Sequence, residues 1–104
     1  MLYIINALDK PGMADTVAAT LEAHQHYLHD SEKLLVLAGG MRDEAGKERL
    51  GSVYLINVPN RTAAEAWLAA EPFNKAGIFK SVTVERMRKG HWHPENAPKT
   101  ADGE

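Results

Sequence analysis

Cysteine is absent from all 104 residues. That removes disulfides, thiolate metal sites and a cysteine nucleophile together, and it fits a reducing cytoplasm, the expected location. An excess of either charge is also missing. Twelve Lys and Arg face fourteen Asp and Glu, for a formal net charge of −2 and a pI near 6.2. Nothing in that balance favours nucleic acid or an anionic membrane surface as a partner. Long hydrophobic runs are lacking too. The opening apolar stretch, "LYIINAL" at 2–8, is far too short for a membrane span, and no basic segment precedes it as in a secretory signal, so Leu2 is read as the start of the fold. The glycine pair at 39–40 lacks the G-x-G-x-x-G context of a dinucleotide loop, and no P-loop occurs. Ser52 lacks a G-x-S-x-G elbow, which argues against a Ser-His-Asp hydrolase. Neither an internal repeat nor a low-complexity tract is present. What remains, at 44% hydrophobic and 25% charged residues, is the composition of one folded globular domain.

The pattern of that domain is regular. Residues 2–8 form an apolar, β-rich run closed by "DKPG", a turn signal. From about 13 to 30, Met13, Val17, Leu21, His24 and Leu28 recur at helical spacing, with Asp15 or Asp9 available as N-cap. "LLVLAGGM" (34–41) and "LGSVYLINV" (50–58) are two further strands joined by the charged hairpin loop "RDEAGKER". Thr62 followed by Glu65 has the capping-box pattern and opens a second helix carrying Ala63, Ala66, Trp67 and Ala70. Pro72 ends that helix after Glu71. "PFNKAG" reads as an irregular turn, and "IFKSVTVERMR" (78–88) as an alternating strand.

The order is β-α-β-β-α-β, the α+β ferredoxin-like plait: a four-stranded antiparallel sheet with two helices on one face. The uncovered sheet face is too apolar to stay wet, so a sheet-to-sheet homodimer is expected. The domain is read as residues 1–90. The segment 91–104 changes composition sharply and is either a frayed tail or an arm over the partner anchored by Trp92.

Three of the five histidines crowd into "EAHQHYLHD" at 22–30. His24 falls on the apolar stripe and should face the sheet. His26 points about 200° away, toward solvent or the dimer seam. His29, near the helix C-terminus, suits the negative end of the helix dipole. Their spacings do not match the i, i+4 pair of a zinc helix, and His91 with His93 gives only two ligands, so no metal is expected. The short basic run "RMRK" (86–89) reads as a solvated strand end that could meet an anionic substrate.

Five segments in this order carry a resemblance: "LDKPG" after the first strand, "AHQHYL" in the first helix, "AGG" after the second strand, "GSVYLI" in the third, and "EAWLAAEPFNKAGIF". Over residues 2–88 the chain resembles the YCII-related (YciI-like) family. The resemblance implies a dimeric α+β barrel with an active site in which an Asp and a His face each other, in relatives that include dehydrochlorinases of chlorinated hydroxyquinols. The fold is also similar to that of muconolactone isomerases. Carried over residue by residue, the histidine falls on His24, with His26 as the alternative, and the aspartate on Asp9. Substrate-binding positions fall on Gly39, Ser52, Glu71 and Phe73. Where the family often has an arginine a few residues before the histidine, this chain has Leu21.

A His24–Asp9 pair has a geometric condition. A helix rises about 1.5 Å per residue, so one starting directly after Asp9 would leave His24 on the order of 20 Å away. The loop "DKPGMAD" must therefore stay irregular. On that condition the expectation is a cofactor-independent lyase or isomerase that moves protons on a small cyclic or aromatic substrate, with His24 as general acid/base and Asp9 as its partner. The alternative is a non-catalytic dimeric module that binds a small ligand in the same cleft.

Overall fold

Alternation along the first strand sorts its side chains: Tyr3, Ile5 and Ala7 are buried, while Asn6 and Leu8, of the opposite phase, are exposed. The same period of two governs the rest of the sheet and decides which face meets the helices. The computed structural model describes residues 1–103. Its elements are β1 (Leu2–Asp9), α1 (Ala14–Asp30), β2 (Leu35–Arg42), β3 (Arg49–Asn57), α2 (Arg61–Ala70), α3 (Pro72–Lys75) and β4 (Phe79–Met87), followed by a 3-10 turn at Pro94–Asn96. The strands form one antiparallel sheet in the order β2-β3-β1-β4. The ferredoxin-like α+β plait expected from the sequence is the observed fold.

The core lies between the helices and the inner face of the sheet. Tyr3, Ile5, Tyr54, Ile56 and Val84 from the strands meet Ala64, Trp67, Leu68 and Phe73 from the helical side. Each such apolar side chain contributes roughly 1.5–3 kcal/mol when fully buried. Polar bonds fix α1 against α2. Tyr27 Oη donates to the Trp67 carbonyl at 2.8 Å, and Trp67 Nε1 donates to Ser31 Oγ at 2.9 Å. On the outer face Leu37 sits opposite Leu55, and Leu55 opposite Ile4. Leu37 is 61% exposed in the single chain.

Three local expectations change. The cap of α2 is Asn60, not Thr62: Asn60 is extended (φ −163°, ψ 174°) and its side chain accepts from Ala63 N at 2.8 Å, so the helix starts at Arg61. Glu65 pairs with Arg61 at 2.8 Å. Neither Asp15 nor Asp9 caps α1. Met13 precedes it without a side-chain cap, and Asp15 lies in its first turn, where it complements the helix dipole. Finally, "PFNK" is one turn of helix, α3. It closes at Gly77, which takes a positive φ of 74° that a side chain would resist.

Beyond Met87 the described chain is exposed throughout, with Trp92 at 49%. Among the described residues no helix is long and apolar enough to cross a membrane.

Candidate active site

Glu71 stands at the joint between α2 and α3. The residue before a proline is driven out of the helical region, so Pro72 forces Glu71 into extended geometry (φ −68°, ψ 127°) and stops α2. Its side chain then turns inward. Oε2 accepts from the backbone N of Asn74 at 3.1 Å, capping α3, and Oε1 lies 2.5 Å from His24 Nδ1. Glu71 is 0% exposed. A carboxylate so deep requires hydrogen-bond donors, and two meet it here, the Asn74 backbone N–H and His24 Nδ1.

His24 comes from the inward stripe of α1, as its spacing implied. Phe73, carried by α3, stacks on the imidazole at 3.8 Å between centroids and 3° between planes. Nδ1 is engaged by Glu71, while Nε2 has no hydrogen-bond partner among the described residues, and His24 lines a cleft of about 1280 Å³. In the neutral imidazole an Nδ1–H donating to the carboxylate leaves the Nε2 lone pair for chemistry.

A second polar group faces the same cleft. Arg49 Nε donates to Asp9 Oδ2 at 2.8 Å, and Nη2 donates to Asp9 Oδ1 at 3.3 Å and to Ser52 Oγ at 2.6 Å. Simple alternation would put Arg49 and Ser52 on opposite faces, because they are an odd three positions apart. A register shift resolves this: Met41 pairs with Gly51 but Arg42 with Arg49, leaving Leu50 as the extra residue that switches the phase. A second shift, where Leu8 pairs with Ser81 and Asp9 with Phe79, lies beside Asp9. The guanidinium also packs over Phe73, 4.8 Å from the ring centroid. His24 and Arg49 thus meet a common aromatic ring.

Tyr54 lies between the two groups. It is 1% exposed, its ring is 6.3 Å from that of His24, and its hydroxyl has no hydrogen bond of acceptable geometry. Burial, and then the negative charge of Glu71, push its pKa far above the ordinary tyrosine value. The same two causes raise Tyr27.

The residues singled out from the sequence are distributed as follows. His24, Asp9, Gly39, Ser52 and Phe73 all line the cleft. The loop after Asp9 does stay irregular, with α1 beginning only at Ala14. Yet the carboxylate on His24 is Glu71, and Asp9 is taken by Arg49. Glu71 therefore sits behind the imidazole rather than among the cleft-lining residues. His26 projects outward with its side chain 74% exposed, 4.0 Å from Glu22. Arg86 and Arg88 of the basic run border a separate depression with Met1, Leu2 and Met87. Two residues of the cleft escaped the sequence reading, Arg49 and Tyr54. The only signal for Arg49 was its place just ahead of Gly51-Ser52, and Tyr54 read as an ordinary strand aromatic.

The plait and its buried imidazole–carboxylate pair define a small α+β domain with a candidate acid/base cleft. The chain belongs to the YCII-related domain family, whose model matches residues 1–88. It is 32% identical over 97 residues to Protein YciI of Escherichia coli, covering 86% of this chain and 98% of that protein. An uncharacterised protein of Haemophilus influenzae is 31% identical over 96 residues, with the same coverage. Among solved structures it is similar to 5-chloro-2-hydroxyhydroquinone dehydrochlorinase from Burkholderia phenoliruptrix, in complex with 2,5-dihydroxybenzoquinone. The TM-score is 0.81 at 26% identity, over 86% of this chain and 96% of that one.

Proposed function

We propose that the protein is a cofactor-independent lyase or isomerase acting on a small cyclic or aromatic substrate, with His24 as general acid/base and Glu71 as its partner. The observation that carries this reading is the His24 Nδ1–Glu71 Oε1 contact at 2.5 Å, with the opposite ring nitrogen unengaged in a cleft. Likeness to a dehydrochlorinase at a TM-score of 0.81 supports the same class of chemistry.

Nε2 of His24 removes a proton from the substrate, and Glu71 stabilises the imidazolium that results. In an elimination the electron pair of the broken X–H bond forms the new π bond, and the carbon–halogen bond breaks with the halide taking its electrons. In an isomerisation the imidazolium returns the proton to a different atom. Either way no oxidant or reductant is consumed. General acid/base transfer of this kind contributes about 10²–10⁴-fold. Asp9 holds Arg49, and Arg49 with Ser52 supplies hydrogen bonds to the bound ring.

Two copies pair through the outer sheet face, where the row Leu37–Leu55–Ile4 would otherwise face water. Segment 91–104 lies outside the domain of residues 1–90.

The test is chloride release from 5-chloro-2-hydroxyhydroquinone, followed with an ion-selective electrode. Turnover by the wild type and its loss in His24→Gln support the reading. Turnover that persists in His24→Gln refutes it.

A further inference from the structure

The chain carries a net charge of −2, yet its cleft is cationic. Lys10, Arg42, Lys47, Arg49 and Lys80 line it, five of the twelve cationic residues, against Asp9 and Glu48, two of the fourteen acidic ones. Asp9 is consumed by Arg49, which leaves Glu48 alone facing the other four cations. A concave surface lined by one sign of charge concentrates its field and raises the local concentration of ligands of the opposite sign.

Arg49 is the built part of this surface. Asp9 and Ser52 occupy its Nε and Nη2, which fixes the plane of the guanidinium, and the side chain is only 16% exposed. Both N–H groups of Nη1 remain without a partner among the described residues. They point where Gly40 carries no side chain: a Cβ placed there would lie 3.4 Å from Nη1. Glycine at 40 keeps that edge of the guanidinium open. A charged donor whose plane is held in advance loses little freedom on binding, and arginine to oxyanion is among the stronger hydrogen bonds.

We infer that the cleft favours a ligand whose ring carries a carboxylate over an uncharged ring, with the carboxylate bound by Arg49 Nη1 and the ring reaching His24. This inference rests on the catalytic reading above only for the placement of the reacting atoms; the anion site stands on Arg49, Gly40 and the cationic lining. The Arg49 and His24 side chains both pack on Phe73 and both line the one cleft. The lysines lie farther out, exposed, and act through their field rather than by fixed contact.

The experiment is calorimetric titration of the full chain with 2,5-dihydroxybenzoate and with its neutral amide, 2,5-dihydroxybenzamide, at low and moderate salt. The carboxylate should bind at least tenfold more tightly, and the preference should shrink as salt rises. Arg49→Met should abolish the preference. Because that variant strands Asp9, the double variant Asp9→Asn/Arg49→Met serves as its folded counterpart and should lose the preference equally. Lys47→Gln/Lys80→Gln should keep the preference but flatten its salt dependence. Equal binding of acid and amide, no binding of either, or a preference that survives in both Arg49 variants overturns the inference. His24→Gln separates the two claims. A carboxylate preference retained there, with no His24-dependent turnover, sinks only the catalytic reading. Turnover dependent on His24 without a carboxylate preference sinks only the anion site.

Discussion

Glu71 holds His24 Nδ1 with one oxygen, at 2.5 Å, and the Asn74 backbone N with the other, at 3.1 Å. One buried carboxylate therefore orients the imidazole and starts the turn that presses Phe73 against it. The two partners should respond unequally to mutation. His24→Ala leaves a fully buried carboxylate without its counterpart, a change that costs about 3–5 kcal/mol. Glu71→Gln keeps the volume and the acceptor for Asn74 and leaves a neutral imidazole, at about 1.5–3 kcal/mol. Urea denaturation of both variants gives the comparison, and equal losses would contradict this asymmetry.

Tyr54 offers a test with the opposite sign. Its hydroxyl lies buried beside Ser52 and Glu71 without a well-aligned hydrogen bond, so Tyr54→Phe removes a poorly satisfied group and should raise stability by about 1 kcal/mol near neutral pH. The pH dependence follows from the direction of its shift. A tyrosine whose folded pKa is raised binds its proton more tightly in the folded state than in the unfolded state. The stability this contributes is complete below pH 10, the ordinary value, and is lost progressively as pH rises beyond it. Denaturation midpoints of the wild type should fall between pH 9 and 11, and those of Tyr54→Phe should fall less.

Gly51 tests the sheet beneath the cleft. A Cβ at this position would lie 2.0 Å from the Ala7 carbonyl oxygen and 2.9 Å from Met41 Cε. The backbone of β1 cannot yield without opening its ladder to β3. Gly51→Ala should cost at least about 3 kcal/mol, the upper range of overpacking, whereas Gly39→Ala, with open space around it, should cost far less. Thermal melts of the two variants read this directly.

The fold was legible because its signals are local and periodic. Alternation marked β4, helical spacing put His24 inward, and Pro72 announced the end of α2. The site was legible only in part, and the reason is geometric. The family resemblance put Asp9 opposite His24, but the plait brings the α2–α3 joint under α1 and delivers Glu71 from 47 residues away. Arg49 was hidden for a different reason. The extra residue Leu50 reverses the strand's alternation, so no reading of period two could turn Arg49 toward Ser52. The Asn60 cap was missed because Thr62 and Glu65 fit a stronger pattern two residues too late.

The most direct test of the account compares the two carboxylates by steady-state kinetics in the chloride-release assay. Glu71→Gln should lower kcat by about 10²-fold with little change in KM, since it acts on the imidazole. Asp9→Asn should raise KM and leave kcat nearly intact, since it acts on Arg49. The reverse split, with kcat lost in Asp9→Asn and preserved in Glu71→Gln, would contradict the assignment of Glu71 as the partner of His24.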